Sequence, residues 1–281
     1  MNKEVKNLFF KITDKNARTI EKIEYGFNSY NYLINDSYVL RIPLEEKDET
    51  INYIDEKKIF DLVSPLNIGE KVIYFDETDG IKLSKFIHGT RFYYREPTQE
   101  QIVYVAKTIK KLHKSKILSS NDYDMFNKLK VYKSPLNPNS FIEEGYEKRT
   151  IKDLEKIFDK EEKVFSHNDL VKGNLLFKFN SLSIIDWEYA GMNHPYFDLA
   201  SFISENNLND SQQDFFLKKF FGSDFNSLIK KRVLMFCRFQ NILFYYWALY
   251  LYKKRDLEVY KKIAQEKLIN IAQDIKNCAK N

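Results

Sequence analysis

The hydrophobic period of this 281-residue chain changes partway along, and the change restricts the folds open to it. From about Thr19 to Ile87 the apolar residues come in short strand-length runs, interrupted once by a helical pattern. "SYNYLIN" and "SYVLRIP" flank Asn35-Asp36, a hairpin signal because both residue types tolerate the positive φ that tight turns demand. In "DETINYIDEKKIFDLVS", Ile51, Ile54, Ile59, Leu62 and Val63 stand at near-helical spacing with acidic residues in the first turn. "KVIYFDETDGIKLSKFI" then reads as two strands around a Thr78-Asp79-Gly80 turn. After Gly89 the texture becomes helical: Ile102, Val105, Ile109 and Leu112 recur at three and four, and Ser211 to Asn277 reads as several helices. Only Val164 to Ile185 returns to strand-like patterning. The expectation is an α+β chain, with a small β-rich part over residues 1–87, a larger, mainly helical part over 88–281 and a cleft between them.

Composition excludes several classes. Hydrophobic residues at 43% can supply a core, so wholesale disorder is not expected. The net charge of +5 comes from 45 basic and 40 acidic residues interspersed along the chain, a weak basic bias that no motif turns into a nucleic-acid-binding signal. Cys237 and Cys278 make neither a disulfide framework nor zinc-ligand spacing, and fit a reducing compartment. The segment "MNKEVKNLFFKITDKN" has only a three-residue apolar run and does not read as a signal peptide. The longest apolar run, Ile242 to Tyr252, has eleven residues, whereas a membrane span needs about 20. A soluble, cytoplasmic protein with no membrane or nucleic-acid partner is expected; the sequence says nothing of oligomeric state.

The chemistry concentrates in "VFSHNDLVKGNLLF" and, shortly after it, "SIIDWEYAG". Burying His, Asn and Asp together costs free energy unless they are paired or hold a ligand. Asp169 stands five residues ahead of Asn174, and "NLLF" and "LSIIDWE" read as a hairpin that presents Asn174 beside Asp186. An amide oxygen and a carboxylate are hard donors suited to Mg²⁺, which leaves Asp169 to orient and deprotonate a hydroxyl, as in phosphoryl transfer. The competing readings are weaker. Ser166, His167 and Asp169 are too close in sequence to converge as a triad. His167 and Asp169 lack a third transition-metal ligand at suitable spacing. A purely structural turn leaves Asp186 unexplained.

"HNDLVKGN" followed by "IIDWEYAG" resembles the signature of the choline/ethanolamine kinases and aminoglycoside phosphotransferases, which share the two-lobe protein kinase-like fold. "FDLASFISEN", "GFNSYNYLI", "YVLRIP", "INYIDEKKIF" and "FYYWALY" extend the likeness from Tyr25 to Tyr252, with bacterial choline kinases nearest in pattern. The resemblance implies ATP and Mg²⁺ as cofactors, Asp169 as catalytic base, and Asn174 and Asp186 as metal ligands. It implies that Arg41 contacts the ATP phosphates with Glu56 as its ion-pair partner, although Asp55 and Glu49 stand nearby. Asn28 and Ser29 would help to cover the phosphates where only Gly26 remains of a glycine-rich loop, and Ser84, Phe86 and Ile87 would border the adenine. His167 would brace the loop; His113 reads as a packing or hydrogen-bonding residue.

For the acceptor, Trp247 and Tyr250 are three apart on one helical face and could form an aromatic cage for a quaternary ammonium. Tyr189 resembles a third wall, and Glu205 would supply negative charge. The plainer alternatives are core aromatics and a surface or ion-pair carboxylate. An aminoglycoside pocket should be acidic, whereas the C-terminal third carries Lys218, Lys219, Lys230, Lys231, Lys253, Lys254 and Arg255. The expected activity is therefore choline phosphorylation to phosphocholine. Ethanolamine or aminoglycoside phosphorylation is the alternative, and a kinase-like binding module the non-enzymatic one.

Overall fold

The computed structural model describes residues 2–23, 28–44, 50–89, 96–137, 142–158 and 162–278. It divides into two compact units, one of Met1–Arg95 with Lys172–Tyr189, the other of Glu96–Val171 with Ala190–Asn281. The hairpin that follows the HNDLVKGN stretch therefore groups with the N-terminal unit rather than with its flanking sequence. The architecture is α+β.

The first unit begins with helix α1 (Asn2–Thr13) and continues with strands β1 (Ile20–Ile23), β2 (Ser29–Ile34) and β3 (Tyr38–Pro43). Helix α2 (Tyr53–Val63) precedes β4 (Val72–Phe75) and β5 (Lys82–Lys85), and the antiparallel sheet runs in the order β1-β2-β3-β5-β4. The β2–β3 turn forms where Asn35-Asp36 indicates, with φ of 52° and 51° at the two residues. Such twin left-handed residues match the right-handed twist of the strands they join. Alternation then sorts the side chains by face. Leu40 and Leu83 join Tyr32 and Ile34 in a core closed by Val5 and Phe9 of α1. Their neighbours Arg41, Lys82 and Ser84 are also buried, on the opposite side of the sheet. Gly80, at φ 75°, turns the chain between β4 and β5; a Cβ there would come within 2.5 Å of the Tyr53 ring.

Helix α1 was not expected from its short apolar run. Its signal is spacing, because Val5, Leu8, Phe9 and Ile12 fall at i, i+3, i+4 and i+7 and pack on the sheet. Strands β6 (Val164–Ser166), β7 (Leu175–Lys178), β8 (Ser181–Ile184) and β9 (Gly191–Asn193) follow later in the chain. β7 and β8 pair antiparallel within the first unit, in register from Leu175↔Ile184 to Lys178↔Ser181. β8 ends at Ile184, and Asp186 turns out of the ladder in a left-handed conformation with φ 67°.

The second unit holds helices α3 (Gln99–His113), α4 (Met125–Lys133), α5 (Glu144–Phe158), α6 (Pro195–Glu205), α7 (Asp210–Phe221), α8 (Ser227–Arg255) and α9 (Glu258–Cys278). Thr98 and Gln101 close a reciprocal capping box at the start of α3, whose buried stripe is Ile102, Val105, Ala106, Ile109 and Leu112. α8 buries Phe236, Phe239, Leu243, Tyr246 and Leu251 along its length. β6 pairs antiparallel with β9, and α6 leaves β9 through the cap residue His194 with Pro195 in its first turn. Among the described residues, no helix is long and apolar enough to cross a membrane.

Candidate active site

In the first unit the geometry centres on Arg41. Its Nη1 and Nη2 donate to the two carboxylate oxygens of Glu56 at 2.7 and 2.8 Å, and Nη2 also donates to the Gly80 carbonyl at 3.1 Å. Alternation on β3 aims Arg41 at α2, and helical rotation places Glu56, not Asp55, on the buried side of α2. Asp55 instead pairs with Lys58 at 3.4 Å on the exposed side, and Glu49 lies outside the described residues. Nη1 also stands 3.6 Å from Asp186 and 3.9 Å from Glu188. Burial works against the guanidinium charge, but Glu56, with Asp186 and Glu188 behind it, holds its pKa above the usual value.

Sequence reasoning did not single out Glu188, which is 8% exposed and accepts from Asn28 Nδ2 at 2.6 Å. Burial and the neighbouring Asp186 push its carboxyl well above the usual range, with Arg41 pulling the other way. Asn28, Ser29, Arg41, Pro43, Ile51, Tyr53 and Glu188 line a small pocket. Ser29 Oγ lies 3.2 Å from Asn31 Nδ2. Gly26 and Phe27 lie outside the described residues. Behind Arg41, the buried Lys82 pairs with Glu70 at 2.7 Å. Of the residues expected at the adenine, Ser84 is buried within β5, and Glu70 accepts a hydrogen bond from it. Phe86 donates its amide to Ser37 O at 2.8 Å and stacks edge-on to His88, while Ile87 is half-buried.

The β7–β8 hairpin brings the backbones of Asn174 and the Asp186 turn together through Ile185 N donating to Asn174 O at 3.0 Å. Asn174 is buried, whereas the Asp186 side chain remains 39% exposed. An amide oxygen and an open carboxylate at one end of a hairpin are hard donors, and they fit a magnesium ion that keeps several of its waters.

Asp169 belongs to the second unit, in the turn that follows β6. Every backbone N–H from His167 to Leu170 has a side-chain acceptor. His167 N and Asn168 N donate to Asp198 at 3.1 and 2.7 Å, Asp169 N to His167 Nδ1 at 3.3 Å, and Leu170 N to Ser201 Oγ at 2.9 Å. Asn206 Nδ2 adds a bond to Leu170 O at 2.9 Å, and Asn193 Nδ2 one to Asn168 Oδ1 at 2.8 Å. Asn168 is thereby held left-handed at φ 67°, and Asp169 follows it half-buried. Asp198 and Ser201 were not expected at the site, although their i, i+3 spacing on one face of α6 is a legible signal.

Acceptor candidates are distributed over both units. Tyr189 ends the first unit half-buried. In the second, Glu205 accepts from Lys267 Nζ at 2.6 Å, and that ammonium lies 5.8 Å over the Phe244 ring. Phe244 is edge-on to the half-buried Trp247 with centroids 6.4 Å apart. Trp247 is in turn edge-on to Tyr260 of α9 at 5.7 Å. Tyr250 packs elsewhere, on Tyr132 at 5.3 Å with Lys254 Nζ 4.8 Å above its ring. Phe244 and Tyr260, which sequence spacing did not single out, are the rings set against Trp247.

Both the sequence and the fold match known proteins. The family model described as choline/ethanolamine kinase matches residues 4–238. Protein LicA of Haemophilus influenzae strain KW20 is 29% identical over 240 residues, covering 78% of this chain and 88% of its own. The ethanolamine kinase of Saccharomyces cerevisiae is 48% identical over 60 residues, which are 18% of this chain and 10% of its own. In structure, the choline kinase LicA of Streptococcus pneumoniae superposes with a TM-score of 0.81 at 21% identity, over 97% of this chain and 99% of its own. The fold is kinase-like.

Proposed function

The chain belongs to the choline/ethanolamine kinase family, and from that premise we propose that it transfers the γ-phosphoryl group of ATP to the hydroxyl of choline, yielding phosphocholine and ADP. Kinase chemistry is the family's; the choice of choline rests on the side chains around Trp247. The choline hydroxyl oxygen forms a bond to the γ-phosphorus while the bond to the β,γ-bridging oxygen breaks. Asp169 accepts the hydroxyl proton as that bond forms. Arg41 presents a fixed, always-charged guanidinium to the ATP phosphates, and Glu56 holds it in orientation. Asn28 and Ser29 contact the phosphates, and Ser84, Phe86 and Ile87 border the adenine. Asn174 and Asp186 would hold Mg²⁺, which when bound neutralises phosphate charge.

The run Glu205, Lys267, Phe244, Trp247 and Tyr260 is the observation that carries choline. A primary ammonium needs several hydrogen-bond acceptors, and one oxygen of the Glu205 carboxylate, Oε1, is already engaged by Lys267. A trimethylammonium has no N–H to donate and is held by aromatic faces instead. Trp247 supplies such a face, with Tyr189, Tyr250 and Glu205 as further candidates around the acceptor. The likeness to a choline kinase over nearly the whole chain supports the same reading. Ethanolamine is the second reading, favoured by the 60-residue match to an ethanolamine kinase. Incubation with ATP, Mg²⁺ and choline, ethanolamine or kanamycin, with products identified by mass spectrometry, separates the readings. Phosphocholine as the dominant product is expected; its absence beside phosphoethanolamine would transfer the assignment to ethanolamine.

A further inference from the structure

One lysine stands where the helical pattern of α9 requires an apolar side chain. Tyr260, Ala264, Lys267 and Ile271 form the buried stripe of that helix at i, i+4, i+7 and i+11, and Lys267 is only 5% exposed. An ammonium in such a position costs free energy unless it is paired. Its partner is Glu205 at the end of α6, whose Oε1 accepts from Nζ at 2.6 Å. A buried ion pair of this kind is often no more stabilising than apolar side chains of the same volume. A methionine could fill the stripe, so packing does not account for the charge.

The groups around Glu205 show what the pair does there. Along α8, Asn241, Phe244 and Trp247 are half-buried while the other residues from Phe239 to Ala248 are buried, which leaves a partly open row at i, i+3 and i+6. Ser204 Oγ lies 3.5 Å from Asn241 Oδ1, and Lys267 Nζ lies 5.8 Å over the Phe244 ring, so Glu205 and its lysine border this row. Cys237, one turn before Asn241, adds no charge: burial, with Glu205 second in effect, pushes its thiol up to about 12. The carboxylate therefore already holds a primary ammonium, the protein's own, and the pair is neutral as a whole. A primary ammonium from outside would compete for the same oxygens with three N–H groups to satisfy. A trimethylammonium has none and needs only ring faces.

We propose that Lys267 is a specificity-determining residue of the acceptor site, taking the position on Glu205 that a primary ammonium would need and so selecting acceptors whose nitrogen is fully alkylated. This rests on the reading of choline as the acceptor and of Glu205 and Trp247 as residues that bind it. The lysine discriminates by exclusion, since it weakens the wrong ligand rather than adding a contact to the right one. Each methyl group on the nitrogen removes one N–H that would lack an acceptor. Preference should therefore rise stepwise from ethanolamine, through its N-methyl and N,N-dimethyl derivatives, to choline.

The test measures kcat/KM for these four acceptors in the wild type, Lys267→Met and Lys267→Arg. Methionine keeps an unbranched apolar chain in the stripe and returns Oε1 to the acceptor, whereas arginine keeps a cation on Glu205. In Lys267→Met the ethanolamine-to-choline ratio of kcat/KM should rise at least about tenfold, the size of one charge-assisted hydrogen bond, with KM for ATP within about twofold of wild type. The two intermediate amines should fall between, and Lys267→Arg should keep the wild-type ratio. A purely structural lysine would lower all four values together. A folded Lys267→Met with an unmoved ratio overturns the proposal, as does a Lys267→Arg whose ratio follows the methionine variant. Should Lys267→Met fail to fold, Lys267→Gln, which drops the charge but keeps a donor for Glu205, replaces it; a rise of at least about threefold is then expected, and an unmoved ratio again overturns the proposal. A wild type that prefers choline beside a variant that keeps this preference refutes the role of Lys267 alone, whereas a wild type that yields no phosphocholine refutes the substrate reading itself.

Discussion

Arg41 and Glu56 meet fork to fork, with two parallel hydrogen bonds of 2.7 and 2.8 Å between side chains that are 6% and 0% exposed. A charged pair so buried is held by geometry, since neither ion can turn to water for compensation. Glu56→Ala should therefore strand the guanidinium and cost about 3–5 kcal/mol, measured by denaturant unfolding. The nearby Asp186, Glu188 and Gly80 carbonyl place the expected value at the lower end of that range. Replacing both partners, as Arg41→Met with Glu56→Leu, should restore much of the stability without restoring ATP affinity. Recovery of ATP affinity in the double variant would show that Arg41 does not contact phosphate.

Asp169→Asn should lower kcat by about 10²–10⁴-fold with ATP binding nearly unchanged, because the amide can hydrogen-bond a hydroxyl but cannot take its proton. Asp186→Asn should behave differently, raising the magnesium concentration needed for half-maximal activity as well as lowering turnover. Isothermal titration with nucleotide, with and without Mg²⁺, distinguishes the two. Wild-type turnover in Asp169→Asn would place the base elsewhere.

Trp247→Ala should raise the choline KM by roughly 10- to 100-fold through loss of a cation–π face and apolar contact, about 1–3 kcal/mol together. KM for ATP should not move, and Trp247→Phe should keep much of the affinity. Because Trp247 is half-buried against Phe244 and Tyr260, the alanine variant should also lose some thermal stability. An unchanged choline KM in a folded variant would assign Trp247 to the packing of α8 on α9 alone.

Acid should destabilise the second unit through His194. Burial, assisted by Arg232 and opposed by the Ile157 backbone, pushes this histidine down to about 4. Its Nδ1 caps α6 by accepting from Tyr196 N at 3.1 Å, a bond that protonation of Nδ1 removes. An unfolded histidine titrates near 6.5, so between roughly pH 6.5 and 4 the unfolded chain binds the extra proton. Stability from this group is fully present above about pH 6.5 and is lost as the pH falls towards 4, by about 3 kcal/mol in all. His194→Asn, which keeps a capping oxygen but does not titrate, should flatten unfolding free energy over that window. An equal slope in the variant would assign the acid lability to other groups.

Much of this molecule was legible in its sequence because the relevant rules are local. Period two gave β2 and β3, Asn35-Asp36 gave their turn, and the 3.6-residue stripe with Thr98 and Gln101 gave α3. Asn174 and Asp186 were legible as a pair because one short hairpin joins them. Helix α1 was equally local, but its signal was the spacing of Val5, Leu8, Phe9 and Ile12 rather than the length of an apolar run. Period says which face of an element is buried and leaves open what meets it there. The tertiary structure alone decided that Glu56 rather than Asp55 meets Arg41, that Lys267 engages Glu205 from 62 residues away, and that Trp247 faces Tyr260 while Tyr250 faces Tyr132. It also brought His113 to Asp198, behind the turn that carries Asp169. These partners are chosen when helices and strands distant in sequence pack and leave each buried charge or ring only the neighbours within a few ångströms, a selection that no local pattern encodes.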